Sequence, residues 1–145
     1  MSTSPLSDSA KEMLLKANPA VISTVRSDGQ PVSAATWYLL RGDQLMVNMD
    51  HGRKRLEHLR NDPRVSLTVL DDGDWYTHVT IIGRVTQMYD DDGLADIDAL
   101  SRHYTGQEYQ WPVGTDRLFG GQRRLDQGEA FAFAVRFQVL RCLRL

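Results

Sequence analysis

The chain has 145 residues, 41% of them hydrophobic and 25% charged, with a formal net charge of -2. That length is one domain's worth, enough to bury a real core, and the charge balance lacks the positive excess typical of a nucleic-acid binder. Cys142 is the only cysteine, which excludes an intrachain disulfide and a cysteine-based metal cluster; any redox activity would have to come from an organic cofactor.

The opening residues Met1-Ser2-Thr3-Ser4-Pro5 carry neither a basic start nor an apolar signal segment. No apolar run approaches the roughly 20 residues of a bilayer span, so a cytoplasmic protein with no membrane partner is expected. The sequence shows no internal repeat and no low-complexity linker, which makes residues 1–145 one domain. A first helix is predicted from Leu6, Ala10, Met13, Leu14 and Ala17, which recur at helical spacing, with Ser7 or Asp8 as cap and Asn18-Pro19 as stop. A strand over Ala20 to Arg26 follows, then an Asp28-Gly29 turn and a return strand from Pro31 to Leu40. Arg41-Gly42-Asp43-Gln44 turns the chain into a third strand, Leu45 to Met49. Gly52 opens a short helix over Arg53 to Arg60, ended by Asn61-Asp62-Pro63. Val65 to Leu70 alternates as a half-buried strand does.

After the Asp71-Asp72-Gly73-Asp74 turn, a long strand is predicted from Trp75 to Met88, with Val79, Ile81 and Val85 on one face and Gly83 between them. Asp90 to Tyr104 reads as a second amphipathic helix, with Leu94, Ile97, Leu100 and Tyr104 along one stripe and Asp90-Asp91-Asp92 at its start. Thr105 to Gly121 is Gly-rich, aromatic and irregular. The last strand runs from Ala130 to about Leu143, with Phe131, Phe133, Val135, Phe137 and Val139 on one side. Six strands joined mostly by hairpins favour a mainly β, closed antiparallel sheet with flanking helices.

Gly52-Arg53-Lys54-Arg55 places three cations at a helix start, where unpaired backbone N–H groups attract phosphates and Arg adds bidentate donors. The helix dipole disfavours cations at that end, so their presence suits an anion held between them; a solvated basic helix face is the plain alternative. Thr36-Trp37-Tyr38 and Trp75-Tyr76 supply aromatic groups on which a flat cofactor could stack, or which could pack in a core or dimer interface. His51, His58, His78 and His103 show no metal-ligand spacing, and no Walker loop, Rossmann loop or nucleophile elbow is present.

The stretch from Val21 to Val32 (VISTVRSDGQPV), Thr36-Trp37-Tyr38, the stretch from Arg53 to Val65 (RKRLEHLRNDPRV) and Gly83 in the long strand resemble, in order and spacing, the pyridoxamine phosphate oxidase-like superfamily. More narrowly, they look like its actinobacterial flavin/deazaflavin oxidoreductases. The resemblance covers about Leu6 to Leu143. It implies a six-stranded FMN-binding split β-barrel, dimerised into a homodimer with two cofactor sites at the interface. By position, Arg53 and Arg55, with Lys54 between them, match the basic group that holds the cofactor phosphate. Ala35, Thr36 and Trp37 match the strand along the isoalloxazine ring, and Met49 and His51 fall beside the ribityl chain. Trp75 and Tyr76 match a segment completing the site from the other subunit. Relatives commonly carry Lys at the position of Arg55, where Arg changes the fork geometry. The implied activity is hydride transfer from reduced deazaflavin coenzyme F-420 to a small unsaturated or quinone-like substrate. An FMN-dependent oxidoreductase, or a non-enzymatic binder of flavin, deazaflavin or a tetrapyrrole, is the alternative.

Overall fold

The structure is a computed structural model describing residues 6–50, 52–109 and 132–144. Helix α1 (Asp8–Leu15) is capped by Ser7, whose Oγ accepts from the Ala10 N–H at 3.2 Å, and it buries Ala10, Met13 and Leu14. A side-chain cap of this kind satisfies one of the N–H groups a helix start leaves unpaired. Asn18 then fixes the linker: its Nδ2 donates to the Met13 carbonyl at 3.0 Å and its Oδ1 accepts from the Asp72 N–H at 3.3 Å.

Strands β1 (Ala20–Val25) and β2 (Pro31–Thr36) pair antiparallel around a turn in which Gly29 takes a φ of 86°, a left-handed conformation open to glycine at no steric cost. The return strand expected over Pro31 to Leu40 is not continuous. It breaks at Trp37 and Tyr38, and β3 (Leu39–Arg41) begins beyond them. The break has a packing cause. Tyr38 turns wholly into the core and donates its hydroxyl to the Lys16 carbonyl at 2.9 Å, while Trp37 stacks on Tyr104. The sheet therefore has seven strands where six were expected.

Strand β4 (Gln44–Asp50) leads to α2 (Lys54–Asn61), whose N-cap is Arg53, one residue later than the glycine predicted to open it. Strand β5 (Arg64–Leu70) alternates as expected, with Val65, Leu67 and Val69 buried. Strand β6 begins at His78, not Trp75, and runs to Asp90. Its late start follows from the acids before it. Asp71 Oδ1 accepts from the N–H groups of Gly73 and Asp74, Asp74 Oδ1 accepts from the Tyr76 N–H, and Asp74 Oδ2 accepts from Thr77 Oγ1 at 2.8 Å. Side chains that satisfy local N–H groups in this way hold a turn against the strand ladder.

Because Asp90 still pairs with Phe133, helix α3 (Ala95–Thr105) starts five residues later than predicted. Asp91 nevertheless caps it, accepting from the N–H groups of Asp96 at 3.2 Å and Ile97 at 2.8 Å. Strand β7 (Ala132–Arg144) pairs with both β6 and β4; the expected inward residue Phe131 lies outside the described residues.

The sheet order is β2-β1-β5-β6-β7-β4-β3. Its two edge strands are consecutive in the chain, separated by Trp37 and Tyr38 alone, so the sheet must roll until its edges meet there. The inward faces form one core, with Ile22, Leu45, Leu67 and Ile81 fully buried, and Leu56 and Leu59 of α2 plugging it. Thr24, a buried polar residue of that face, is satisfied by His58 Nδ1 at 2.9 Å. Helix α3 covers the outer face of β4 and β7, where Met46, Ala134 and Leu100 are buried. Among the described residues, no helix is long and apolar enough to cross a membrane.

Candidate functional site

A cavity of about 810 Å³ lies beside the seam where the sheet's edges meet. Ala35, Thr36 and Trp37 at the end of β2 form one wall. Asn48 and Met49 at the end of β4, with Arg53 and Arg55 at the start of α2, form another. The third comes from α3, through Leu94, Ile97, Leu100 and Tyr104, and from the α1–β1 linker. Ala35, Thr36, Trp37, Met49, Arg53 and Arg55 are thus brought together at one cavity. Lys54 is not with them; its side chain is 82% exposed and pairs with Glu57 at 3.4 Å. Trp75 and Tyr76 do not line the cavity either. They stack on each other at 4.5 Å and are 65% and 74% exposed. His51 and most of the irregular segment, from 110 onward, lie outside the described residues.

The α3 wall was missed by pattern reading. Its sequence shows an amphipathic stripe, and a stripe alone does not say what it faces. Asp72, which also lines the cavity, reads in the sequence only as a turn residue, and Asn48 carries no motif signal.

The flat part of the cavity is a stacked pair. The Trp37 and Tyr104 rings lie 5.1 Å apart between centroids and 11° from parallel. Tyr104 is held in turn: its hydroxyl donates to the Asn18 carbonyl at 2.7 Å and accepts from the Tyr38 N–H at 3.4 Å. Burial disfavours the charged form and raises the pKa of both tyrosines, Tyr104 to about 12 and Tyr38 further still. Their hydroxyls stay protonated at neutral pH and are committed to backbone carbonyls, so neither is placed to give a proton to a ligand.

The alkaline limb of stability follows by sign. In the unfolded chain a tyrosine ionises near 10; in the folded protein Tyr38 resists ionisation, so this contribution is intact below about pH 10 and is lost as pH rises above it. Tyr38→Phe should cost about 1 kcal/mol at pH 8, through the lost bond to Lys16. Above pH 10 the parent loses stability faster, by up to about 1.4 kcal/mol per pH unit, and the gap should narrow. Urea unfolding of both proteins at pH 8 and pH 11 measures this; a gap that widens with pH contradicts it.

Arg53 has an extended backbone as the α2 N-cap, and its side chain makes no capping bond. Two guanidinium groups and a helix N-terminus on one wall form a donor set suited to a phosphate. The same cavity carries the stacked Trp37 and Tyr104 rings, a planar aromatic surface that suits a ring. Among the described residues there is no group of three His, Cys, Asp or Glu side chains able to hold a metal ion.

Residues 6–124 match the family profile of pyridoxamine 5'-phosphate oxidase. The chain belongs to the pyridoxamine 5'-phosphate oxidase family. Members of this family are mostly oxidoreductases and bind flavins such as FMN. No functionally curated protein matches the chain. Among solved structures it is similar in fold to an F420 reductase, at 18% identity and a TM-score of 0.77, covering 95% of this chain and 98% of the other. It is also similar to a conserved hypothetical protein from Mycobacterium tuberculosis, at 20% identity and a TM-score of 0.68, over 96% and 84% of the two chains. A provisionally assigned pyridoxamine 5'-phosphate oxidase from Listeria innocua aligns at 14% identity and a TM-score of 0.63, over 95% and 96%. These likenesses agree with the mainly β, antiparallel split-barrel architecture of the family.

Proposed function

We propose that the protein is an oxidoreductase that binds coenzyme F-420 and supports hydride transfer from its reduced form to a small unsaturated or quinone-like substrate. One observation carries the reading: Arg53 and Arg55 line the same cavity as the Trp37–Tyr104 stack. A ligand with a phosphate and a flat ring fits that pair of features. The bound cofactor supplies the hydride chemistry. The chain's residues bind and orient it: Arg53 and Arg55 hold the phosphate, Ala35, Thr36 and Trp37 lie along the ring, and Met49 packs beside the linking chain. The apolar α3 wall excludes water from the substrate side. FMN is the second reading, favoured by the family's general use of flavins.

The protein is further proposed to act as a homodimer with cofactor sites at the interface. Family members often form dimers, and the exposed Trp75–Tyr76 stack is an aromatic surface of the kind interfaces bury. Sedimentation at micromolar concentration should give a dimer; a monomer contradicts it.

Titration with F-420 and with FMN, followed by absorbance and fluorescence, tests the cofactor. Reduced F-420 mixed with protein and the quinone menadione then tests turnover. Tight F-420 binding with quinone-dependent reoxidation supports the proposal. FMN binding without F-420 binding overturns it in favour of the second reading, and F-420 binding with no reoxidation by menadione or other unsaturated acceptors leaves a carrier, not an enzyme.

A further inference from the structure

The β5–β6 turn carries three acids, Asp71, Asp72 and Asp74, and the structure uses them differently. Asp71 and Asp74 spend their carboxylate oxygens on the turn's own N–H and hydroxyl groups. The Asp72 carboxylate makes no hydrogen bond or ion pair among the described residues; only its backbone N–H is engaged, by Asn18 Oδ1 at 3.3 Å. That bond fixes Asp72 to the α1–β1 linker, whose Ala17 and Pro19 line the cavity with it. Asp72 is therefore the one acid of the turn placed at the cavity, and it is held there by its backbone while its side chain stays available.

The cavity is bipolar as a result. Arg53 and Arg55 line it from the start of α2, Asp72 from the β5–β6 turn beside the linker, and the surface contributed by Ala20, Ala35, Trp37, Leu94, Ile97 and Leu100 carries no charge. We propose that Asp72 is a specificity-determining residue of this cavity, selecting a ligand that bears an ammonium or other hydrogen-bond-donating group away from its phosphate and rejecting one that bears a carboxylate there. A carboxylate accepts hydrogen bonds and attracts cations but cannot donate, so it sorts ligands by what they present to it. The orientation of the ligand rests on the arginine–phosphate reading above; the selection by Asp72 does not.

The test uses two aromatic probes of the same size and opposite charge, 2-naphthylmethylamine and 2-naphthoate. They are titrated calorimetrically into the intact protein with inorganic phosphate at saturation, so that the arginines are occupied. The parent should prefer the amine. Asp72→Asn keeps the shape and removes the charge, and should shrink the amine-to-carboxylate affinity ratio by about twofold to thirtyfold, since the lost attraction to the amine and the lost repulsion of the carboxylate are each worth up to about fivefold for charges open to solvent. Asp28→Asn, the same change in net charge on the β1–β2 turn outside the cavity, should leave the ratio unchanged. An unchanged ratio in a folded Asp72→Asn protein, or no binding of the amine to the parent, overturns the proposal. Titration with phosphate alone separates the two readings: if phosphate does not bind while the ratio still depends on Asp72, the arginine reading falls and this one stands.

Discussion

Arg53→Ala and Arg55→Ala should each weaken FMN or F-420 binding by roughly 10- to 150-fold, the equivalent of losing one charge-assisted hydrogen bond worth about 1.5–3 kcal/mol. Both side chains line the cavity at the first turn of α2, so each can reach a phosphate seated there. Lys54→Ala is the internal control. Its ammonium turns to solvent and pairs with Glu57, and its loss should change affinity less than threefold, as expected for an exposed pair. Melting curves separate binding from folding. If both arginine variants bind flavin and deazaflavin as tightly as the parent, the basic cluster is a solvated helix face and the cofactor reading loses its physical support.

Leu67→Ala should have the opposite signature. Leu67 is fully buried on β5, the strand between β1 and β6, and packs in the centre of the core. Removing a buried leucine costs about 2–5 kcal/mol, from lost transfer energy and the cavity left behind. That is a large part of the 5–15 kcal/mol typical of a domain, so the melting temperature should fall by several degrees or more. Leu67 does not line the cavity, so cofactor affinity measured well below the melting transition should stay close to the parent value. A variant with unchanged melting would mean that this part of the sheet is not the core.

Much of this architecture was legible in the sequence because the signals were local and physical. Val65 to Leu70 alternates cleanly because one face is buried, and Asp28-Gly29 marks a turn because glycine alone takes that φ freely. The errors came where side chains outvoted the strand pattern. Trp37 and Tyr38 read as strand residues, yet a buried tyrosine and a ring stack on a distant helix break the ladder there. Asp71 and Asp74 delay β6 by capping their own turn. The start of α3 was misplaced because Asp91 caps it from five residues upstream of Asp96, a spacing no simple helix signal covers. The site divided in the same way. Arginines at a helix start are a local signal; Asp72, Tyr104 and the α3 stripe reach the cavity only through tertiary packing.

The seam at Trp37 and Tyr38 has a mechanical consequence. Elsewhere in the sheet, moving one strand away from its neighbour means breaking a row of backbone hydrogen bonds. Between β2 and β3 there is no such row, since they are the two ends of the strand order. The cavity sits beside this junction, with the partly exposed Trp37 lining it and the buried Tyr38 anchored to Lys16. Widening the cavity at this junction needs rotation of the exposed Trp37 indole off Tyr104, the loss of one ring stack, while Ala35 and Thr36 stay paired to β1. The space at this junction is thus set by the placement of one side chain and not by the hydrogen-bonded ladder.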